Sequence, residues 1–259
     1  MAYLLDNKAS RELERLEALQ AVADPFTIRR LEAIGVREGW RCLEVGGGGG
    51  SIARWLCERV GPAGRVVATD IETRFLDALD TPNLEVRRHD ITADALETGA
   101  FDVVHERSLL EHLREPEPVL RKMVTALVPG GWLLVEDSDY GSFGQVRGGH
   151  EGVFTKVSEA FLSLLASGGH DRMRGRKLGC LVREQGLEDV QFESRATEWG
   201  GSRPLTPVWA LAIEHLRPRM VDAGLVGHGD IDAFLALIRN PDFVGLTACG
   251  CAAWGRKPV

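Results

Sequence analysis

No stretch of this chain approaches the roughly 20 consecutive apolar residues that a membrane span requires. Its start, MAYLLDNKASRELERLE, lacks an apolar run of signal-peptide length behind a basic region. A cytoplasmic location with no membrane partner is therefore expected. Basic patches are missing as well. Lys and Arg number 31 against 38 Asp and Glu, the formal net charge is −7, and the basic residues are scattered instead of gathered into a stripe that would neutralise phosphates. Nucleic acid is not an expected partner. The five cysteines, Cys42, Cys57, Cys180, Cys249 and Cys251, are odd in number and show neither CxxC spacing nor a nearby His pair. Buried free thiols are expected, and no metal centre. There is no internal repeat and no low-complexity segment.

What is present is the composition of a globular protein, 44% hydrophobic and 27% charged, in 259 residues, a length that one enlarged α/β domain with a cap can use. Residues 9–23 carry Leu13, Leu16, Leu19 and Val22 at helical spacing, and Asp24-Pro25 predicts a stop. A second helix is expected from Thr27 to Ile34, ending at Gly35, before the first strand-like run, Arg41 to Val45. Short β-like runs follow at Val66 to Thr69, Leu84 to Arg88, Phe101 to His105 and Trp132 to Glu136. Helical spacing fills the interval from Thr69 to Leu84 and again about Ser108 to Leu127. Alternation of this kind implies a parallel sheet with right-handed crossovers. Beyond Asp137, helices are expected at 151–166, about 172–185, 207–222 and 230–238, with strands near 189–194 and over 243–256. The organisation expected is an N-terminal helical cap segment, 1–39, and an α/β domain, 40–259, with helical insertions at about 138–178 and 200–240.

The chemistry concentrates in the first half. Glu44-Val45-Gly46-Gly47-Gly48-Gly49-Gly50-Ser51 places a glycine loop between a strand and a helix, where a ligand can approach the backbone without Cβ interference. A nucleotide-like ligand is implied, although five consecutive glycines satisfy almost any glycine motif. Further features fall at the carboxyl ends of successive strands, where open α/β sheets bind ligands. Asp70 closes VVATD, and a carboxylate there can accept bonds from two ribose hydroxyls. Asp90 closes RRHD and could accept a bond from an adenine amino group while Ile91 packs on the ring. The strand FDVVHE and a Pro129-Gly130-Gly131 turn into WLLVED follow in order.

With Glu44, Gly46, Gly48 and Gly50, then Asp70, Asp90-Ile91, FDVVHERSLLEHL, VLRKMVTALVPGGWLLVED and the closing WGRKP, the sequence resembles the class I S-adenosylmethionine-dependent methyltransferases. The resemblance spans about residues 40–137 plus the last strand and is nearest to the small-molecule, ubiquinone-biosynthesis-like members. It implies a Rossmann-like, doubly wound seven-stranded sheet whose last strand is antiparallel. It also implies S-adenosylmethionine as cofactor, and transfer of a methyl group to an O, N or C atom of a small-molecule acceptor. By the same resemblance, Gly46 and Gly48 lie against the amino-acid part of the cofactor, Asp70 with Ile71 at the ribose, and Asp90 and Ile91 at the adenine. Glu106 and Arg107 would lie beside the methionine portion, or else pair with each other on the surface, and Glu44 would orient the loop or bind the amino group through water. A non-catalytic or non-methylating cofactor-binding relative, a cyclising relative, and a nicotinamide-dependent oxidoreductase remain as alternatives.

Displacement at a sulfonium methyl can be accelerated by positioning and a dry pocket, so a base is optional. If one is used, His is the first candidate. Of the seven histidines, His89 and His105 read as structural, and His170 and His228 as solvated turn residues. His112, His150 and His215 remain as catalytic candidates. Asp137 and Asp139 could hold an acceptor hydroxyl or amine, or serve only as loop or capping residues. Phe143, Phe154, Phe161, Trp199 and Trp209 could wall an apolar acceptor or form the core of the cap itself. A monomer or homodimer is expected.

Overall fold

The structure, a computed structural model, describes residues 11–149 and 151–259. The candidate base His150 lies outside the described residues. The chain opens with α1 (Glu12–Ile34), followed by β1 (Arg41–Val45), α2 (Ser51–Val60), β2 (Arg65–Asp70), β3 (Leu84–Arg88) and β4 (Phe101–Arg107). A 3-10 turn at Leu110–His112 leads to α3 (Glu117–Ala126), β5 (Leu127–Asp139) and β6 (Gly144–Arg147). Then come α4 (Glu151–Ser167), α5 (Arg174–Glu184), β7 (Glu188–Arg195), β8 (Glu198–Trp199), α6 (Thr206–Asp222), α7 (His228–Arg239), β9 (Val244–Leu246) and β10 (Cys249–Arg256).

The main sheet runs β3-β2-β1-β4-β5-β10-β7, with β10 antiparallel to both of its neighbours and the β1, β2, β3, β4 and β5 pairings parallel. The strand alternation explains why both faces are covered. Cys42, Val66, Val103, Leu134 and Ala252 point to the face packed by α1 and α2, whereas Leu43, Val67, Val104, Leu133 and Ala253 meet α3 and α5. Consecutive residues that are all buried, as in β1 and β2, mark strands covered on both sides. The doubly wound sheet with an antiparallel last strand is therefore as expected.

Some local expectations give way to tertiary forces. Asp24-Pro25 does not stop the first helix; α1 is continuous through Pro25 and ends at Gly35, whose N–H donates to the Leu31 and Glu32 carbonyls. One lost backbone bond is outweighed because both halves are held from outside, the first by α6 and the second by ion pairs described below. Between β2 and β3 the chain makes turns instead of a helix. The terminal segment is two strands in two sheets, not one: β9 joins β6 and β8 in a small antiparallel sheet before β10 enters the main one. The Pro-Gly-Gly turn belongs to β5, where Gly130 N–H donates to Lys257 O and Lys257 N–H to Gly131 O.

α4, α6 and α7 form a separate core over the carboxyl ends of the sheet, filled by Phe154, Trp199, Phe234 and Phe243. α5, whose first residues fall in the first expected insertion, instead lies on the sheet, with Leu178 and Val182 in the sheet core. No helix among the described residues is long and apolar enough to cross a membrane. Cys42, Cys57 and Cys251 are buried thiols, but Cys180 stands exposed on α5 and Cys249 is half-buried.

α5 can approach β5 closely because Gly175 has no side chain. A Cβ there would lie 2.7 Å from the Ser138 carbonyl carbon and 2.9 Å from Asp137 O, both backbone atoms that cannot swing aside. Gly175→Ala should lower stability by about 1–3 kcal/mol through overpacking; an unchanged urea midpoint would refute this account of the contact.

Candidate functional site

The glycine loop is held against the end of β2. Gly46 and Gly47 donate to Thr69 O at 2.8 and 3.0 Å, and Gly48 N–H donates to Asp70 Oδ2 at 2.9 Å. Gly46 adopts φ 72°, a backbone conformation that favours glycine, and a Cβ there would also press on the Leu109 side chain at 2.8 Å. Gly50 precedes the first turn of α2. Asp70, 9% exposed, also accepts from Glu72 N–H at 3.1 Å. Burial raises its pKa, partly offset by the backbone N–H groups. Two of its roughly four lone-pair positions are thus used, leaving acceptors for ligand hydroxyls.

Beyond it, Asp90 is held below the usual carboxylate range by Thr92, whose hydroxyl and N–H donate to Oδ1 at 2.6 and 2.9 Å. Ile71, half-exposed, and buried Ile91 supply apolar wall on either side of this region. Lys122, reaching over from α3, donates to the carbonyls of Ile91, Thr92 and Asp94 at 2.9–3.1 Å and so fixes the loop that carries them.

Beneath the loop lies a buried chain of charge. His105, with no exposure, sits between Glu44 Oε2, 2.6 Å from Nδ1, and Glu136 Oε2, 3.4 Å from Nε2. Arg30 of α1 donates to Glu136 Oε1 at 2.5 Å, and the Thr27 hydroxyl donates to Glu136 Oε2. Arg107 donates to Thr27 Oγ1 at 2.9 Å and to Asp24 Oδ1 at 2.8 Å. Burial alone would lower the His105 pKa, but Glu44 and Glu136 outweigh it and push it up to about 10. Glu136, despite a burial cost, is held down to about 2 by His105 and the two arginines. The carboxylates of Glu44, Glu136 and Asp24 are matched by the cations His105, Arg30 and Arg107. The group of six is neutral as a whole, as burial requires.

One cavity of about 510 Å³ runs from the glycine loop, past Asp70 and Ile91, to a mixed polar and aromatic end. α1 roofs the loop with Leu16, Leu19 and Gln20, and Phe161, Trp209 and Tyr140 line the far end. There Glu111 and His112 face His170, which the turn after α4 folds inward. Burial lowers the His112 pKa to about 4 even beside Glu111, so its imidazole is neutral at pH 7. Glu111 is kept at about 2 in spite of burial by His170 and His112. Asp137, wholly buried on the same wall, is pushed well up by burial and by the neighbouring Glu106 and Glu111 carboxylates.

Residues 43–133 match the family described as a methyltransferase domain. Over 201 residues the chain is 30% identical to the ubiquinone biosynthesis O-methyltransferase of Ralstonia nicotianae, a match covering 73% of this chain and 77% of that relative. The chain belongs to the class I S-adenosylmethionine-dependent methyltransferases. A match of 35% over 113 residues to the ubiquinone/menaquinone biosynthesis C-methyltransferase UbiE of Pseudomonas savastanoi pv. phaseolicola covers 40% of this chain and 44% of that relative. The chain thus spans under half the length of some curated relatives it matches. In fold, it is similar to phosphoethanolamine N-methyltransferase 2 of Haemonchus contortus, solved in complex with phosphomonomethylethanolamine and S-adenosylhomocysteine. That likeness has a TM-score of 0.62 at 15% identity and covers 100% of this chain and 61% of the other.

In this chain Glu44, Gly46, Gly48, Asp70, Ile71, Asp90, Ile91 and Arg107 all reach the cavity wall, whereas Gly50, expected beside them, does not. Glu106 does not: it is fully buried beneath the wall, its Oε2 accepts from Leu109 N–H at 3.1 Å, and burial raises its pKa to about 8. Nor does it pair with Arg107, which is committed to Asp24 and Thr27. Among the catalytic candidates His112 lines the cavity, while His215 lies outside the lining, its Nδ1 3.9 Å from Glu12 Oε2. His170, read from sequence as a solvated turn residue, is buried. Asp139 is taken up by Arg176 at 2.5 Å and by Gly141 N–H, away from the acceptor end. Of the aromatic group, Phe161 and Trp209 line the cavity, and Phe143, Phe154 and Trp199 pack inside the cap. Sequence reasoning missed Thr27, Arg30, Glu136, Lys122, Glu111 and Tyr140; the only available signal was Glu111-His112 standing side by side in LLEHL.

Two outcomes follow from these interactions. Lys122→Met, which keeps the stem but removes the donors, should weaken S-adenosylmethionine binding by roughly tenfold as the Asp90-Ile91 loop loses its anchor; calorimetric titration showing wild-type affinity would contradict this. The His105 pKa is raised from 6.5 to about 10 on folding, so its stabilisation is complete below pH 6.5 and is lost as pH rises through 10. The Glu136 pKa is depressed from 4.5 to about 2, so its share is complete above pH 4.5 and is lost as pH falls through 2. Urea midpoints should therefore decline between pH 6.5 and 10 in the wild type and decline less in His105→Asn.

Proposed function

We propose that this protein is an enzyme that moves the methyl group of S-adenosylmethionine to an O, N or C atom of a small-molecule acceptor. The acceptor we infer has an apolar body and one polar group. The observation that carries the reading is the single continuous cavity, with nucleoside-type features at one end and an apolar wall ending in Glu111, His112 and His170 at the other. Its volume of about 510 Å³ is in the range of small-molecule sites.

The residues present fit the cofactor. Asp70 has acceptors left for ribose hydroxyls, Ile71 and Ile91 offer apolar surface for a base, and Asp90 can accept from an amino group. The bare backbone of Gly46 to Gly48 admits the amino-acid portion. When bound, the cofactor supplies an activated methyl group on a sulfonium centre. The chain's own part is to orient and to exclude water. α1 closes the roof, Trp209 and Phe161 confine the acceptor, and the polar end at Glu111, His112 and His170 receives its polar group. Holding the two reactants in line is a large contribution such a site can make.

Calorimetry with S-adenosylmethionine, S-adenosylhomocysteine and NAD tests the reading. The first two should bind and NAD should not; binding of NAD alone would sink it. Asp70→Ala removes acceptors for two charged hydrogen bonds and should weaken cofactor binding by roughly 100-fold or more. A screen of acceptors by a mass gain of one methyl then identifies the substrate class.

A further inference from the structure

At the acceptor end three ligand-type side chains converge from two loops. Glu111 and His112 come from the 3-10 turn after β4, and His170 from the turn that follows α4. The loops are joined independently of these side chains: Asp171 N–H donates to Glu111 O at 2.7 Å, and the Arg174 side chain donates through Nη2 to Leu113 O at 3.1 Å. Glu111 is further oriented by Ser138 N–H, which donates to Oε2 at 2.7 Å and leaves Oε1 turned towards the histidines. Oε1 lies 3.7 Å from His112 Nε2 and 3.7 Å from His170 Nε2. The ligating atoms of all three residues fall within 4.8 Å of one another.

Those separations are too long for hydrogen bonds. They are close to the ligand-to-ligand spacing of about 3.3 Å that tetrahedral bonds of 2.0–2.1 Å produce. A second feature points the same way. The His170 side chain is 2% exposed, and neither ring nitrogen has a hydrogen-bond partner among the described residues. A buried imidazole with both nitrogens unmatched is costly unless something else meets its lone pair. Asp137, on the same wall, also has both carboxyl oxygens buried without a partner among the described residues.

We propose that Glu111, His112 and His170 form a divalent-cation site at the acceptor end of the cavity. The sequence, with no recognisable ligand spacing, predicts no metal; the site exists only once the turn after α4 is folded onto the turn after β4. Two imidazoles and one carboxylate suit Zn²⁺, Fe²⁺, Co²⁺ or Ni²⁺ and are a poor set for Mg²⁺ or Ca²⁺, which take oxygen ligands. With three protein ligands, a coordination position is left facing the cavity, where an acceptor oxygen or nitrogen can enter. Cation binding needs only these side chains. Its use in holding the acceptor rests on the methyl-transfer reading, and selects acceptors that carry a metal-binding oxygen or nitrogen.

The test uses the full chain stripped with EDTA and titrated with Zn²⁺ by calorimetry, with Co²⁺ followed by visible absorption as a second readout. About one ion should bind per chain, with Mg²⁺ failing to compete. His170→Ala, His112→Ala and Glu111→Gln should each weaken Zn²⁺ binding by roughly 100-fold and abolish the Co²⁺ spectrum. Glu111→Gln keeps an acceptor for Ser138 N–H, so it remains informative if a histidine variant does not fold. His228→Ala, altering an exposed histidine at the start of α7, should bind Zn²⁺ like the wild type. Absence of Zn²⁺ binding in the wild type, or binding that survives both Glu111→Gln and His170→Ala, overturns the site. S-adenosylmethionine titrated into the same samples separates the two ideas: cofactor binding without a cation site removes only this inference, and a cation site without cofactor binding removes only the methyl-transfer reading.

Discussion

The arrangement of the whole upper half of the molecule depends on how two buried carboxylates, Glu44 on β1 and Glu136 on β5, are neutralised. Each stands at the carboxyl end of its strand, and β4 between them contributes His105, which faces both. One imidazolium cannot balance two carboxylates. The second positive charge comes from Arg30 of α1, a helix far from β5 in sequence, at 2.5 Å from Glu136. Removing either partner from such a group leaves a buried charge uncompensated, a penalty of about 3–5 kcal/mol. α1 is thereby fixed over the carboxyl edge of the sheet by electrostatic necessity as well as by its apolar face.

From that fixed helix the roof follows. With Thr27 and Arg30 in its second half tied to Glu136, the same helix places Leu16, Leu19 and Gln20 of its first half over the glycine loop. Asp24, one turn before Thr27, takes Arg107 from the end of β4 and closes the gap between roof and sheet. Support for the glycine-loop end of the cavity is thus shared between local turn chemistry, in the Asp70 bonds to Gly48 and Glu72, and long-range charge. The acceptor end has a different character. It lies where the cap core of α4 and α6 meets β5, so that apolar Phe161 and Trp209 face a polar cluster with several unmatched polar atoms. A cavity with one end satisfied and the other under-satisfied suits a protein that binds one partner in a fixed way and a second through chemistry completed on binding.

Much of the fold was legible because a parallel sheet buried on both faces writes itself as short apolar runs separated by helices. The runs at β1, β2, β3, β4 and β5 stand where periodicity predicts them, and Gly35 ends α1 as its position suggests. The misreadings share one cause. Asp24-Pro25 has the local signature of a stop, but local preference lost to anchors elsewhere in the chain. The segment 243–256 has uniform strand character, and which of two sheets each half joins depends on partners more than 40 residues distant in sequence.

The sequence by itself determined one end of the cavity: a glycine loop after a strand, Asp70 and Asp90 at successive strand ends, and apolar Ile91 beside the latter. Those residues lie where the chain passes from strand to loop, and their placement needs only local geometry. Only the tertiary structure decided the rest. It placed Glu106 below the wall instead of on it, made His105 an ionic partner, and turned His170 from a presumed solvent group into a buried neighbour of Glu111 and His112. Each of these depends on which distant segment covers a given side chain. Burial and charge compensation are properties of the packed assembly and leave no period or spacing in the chain.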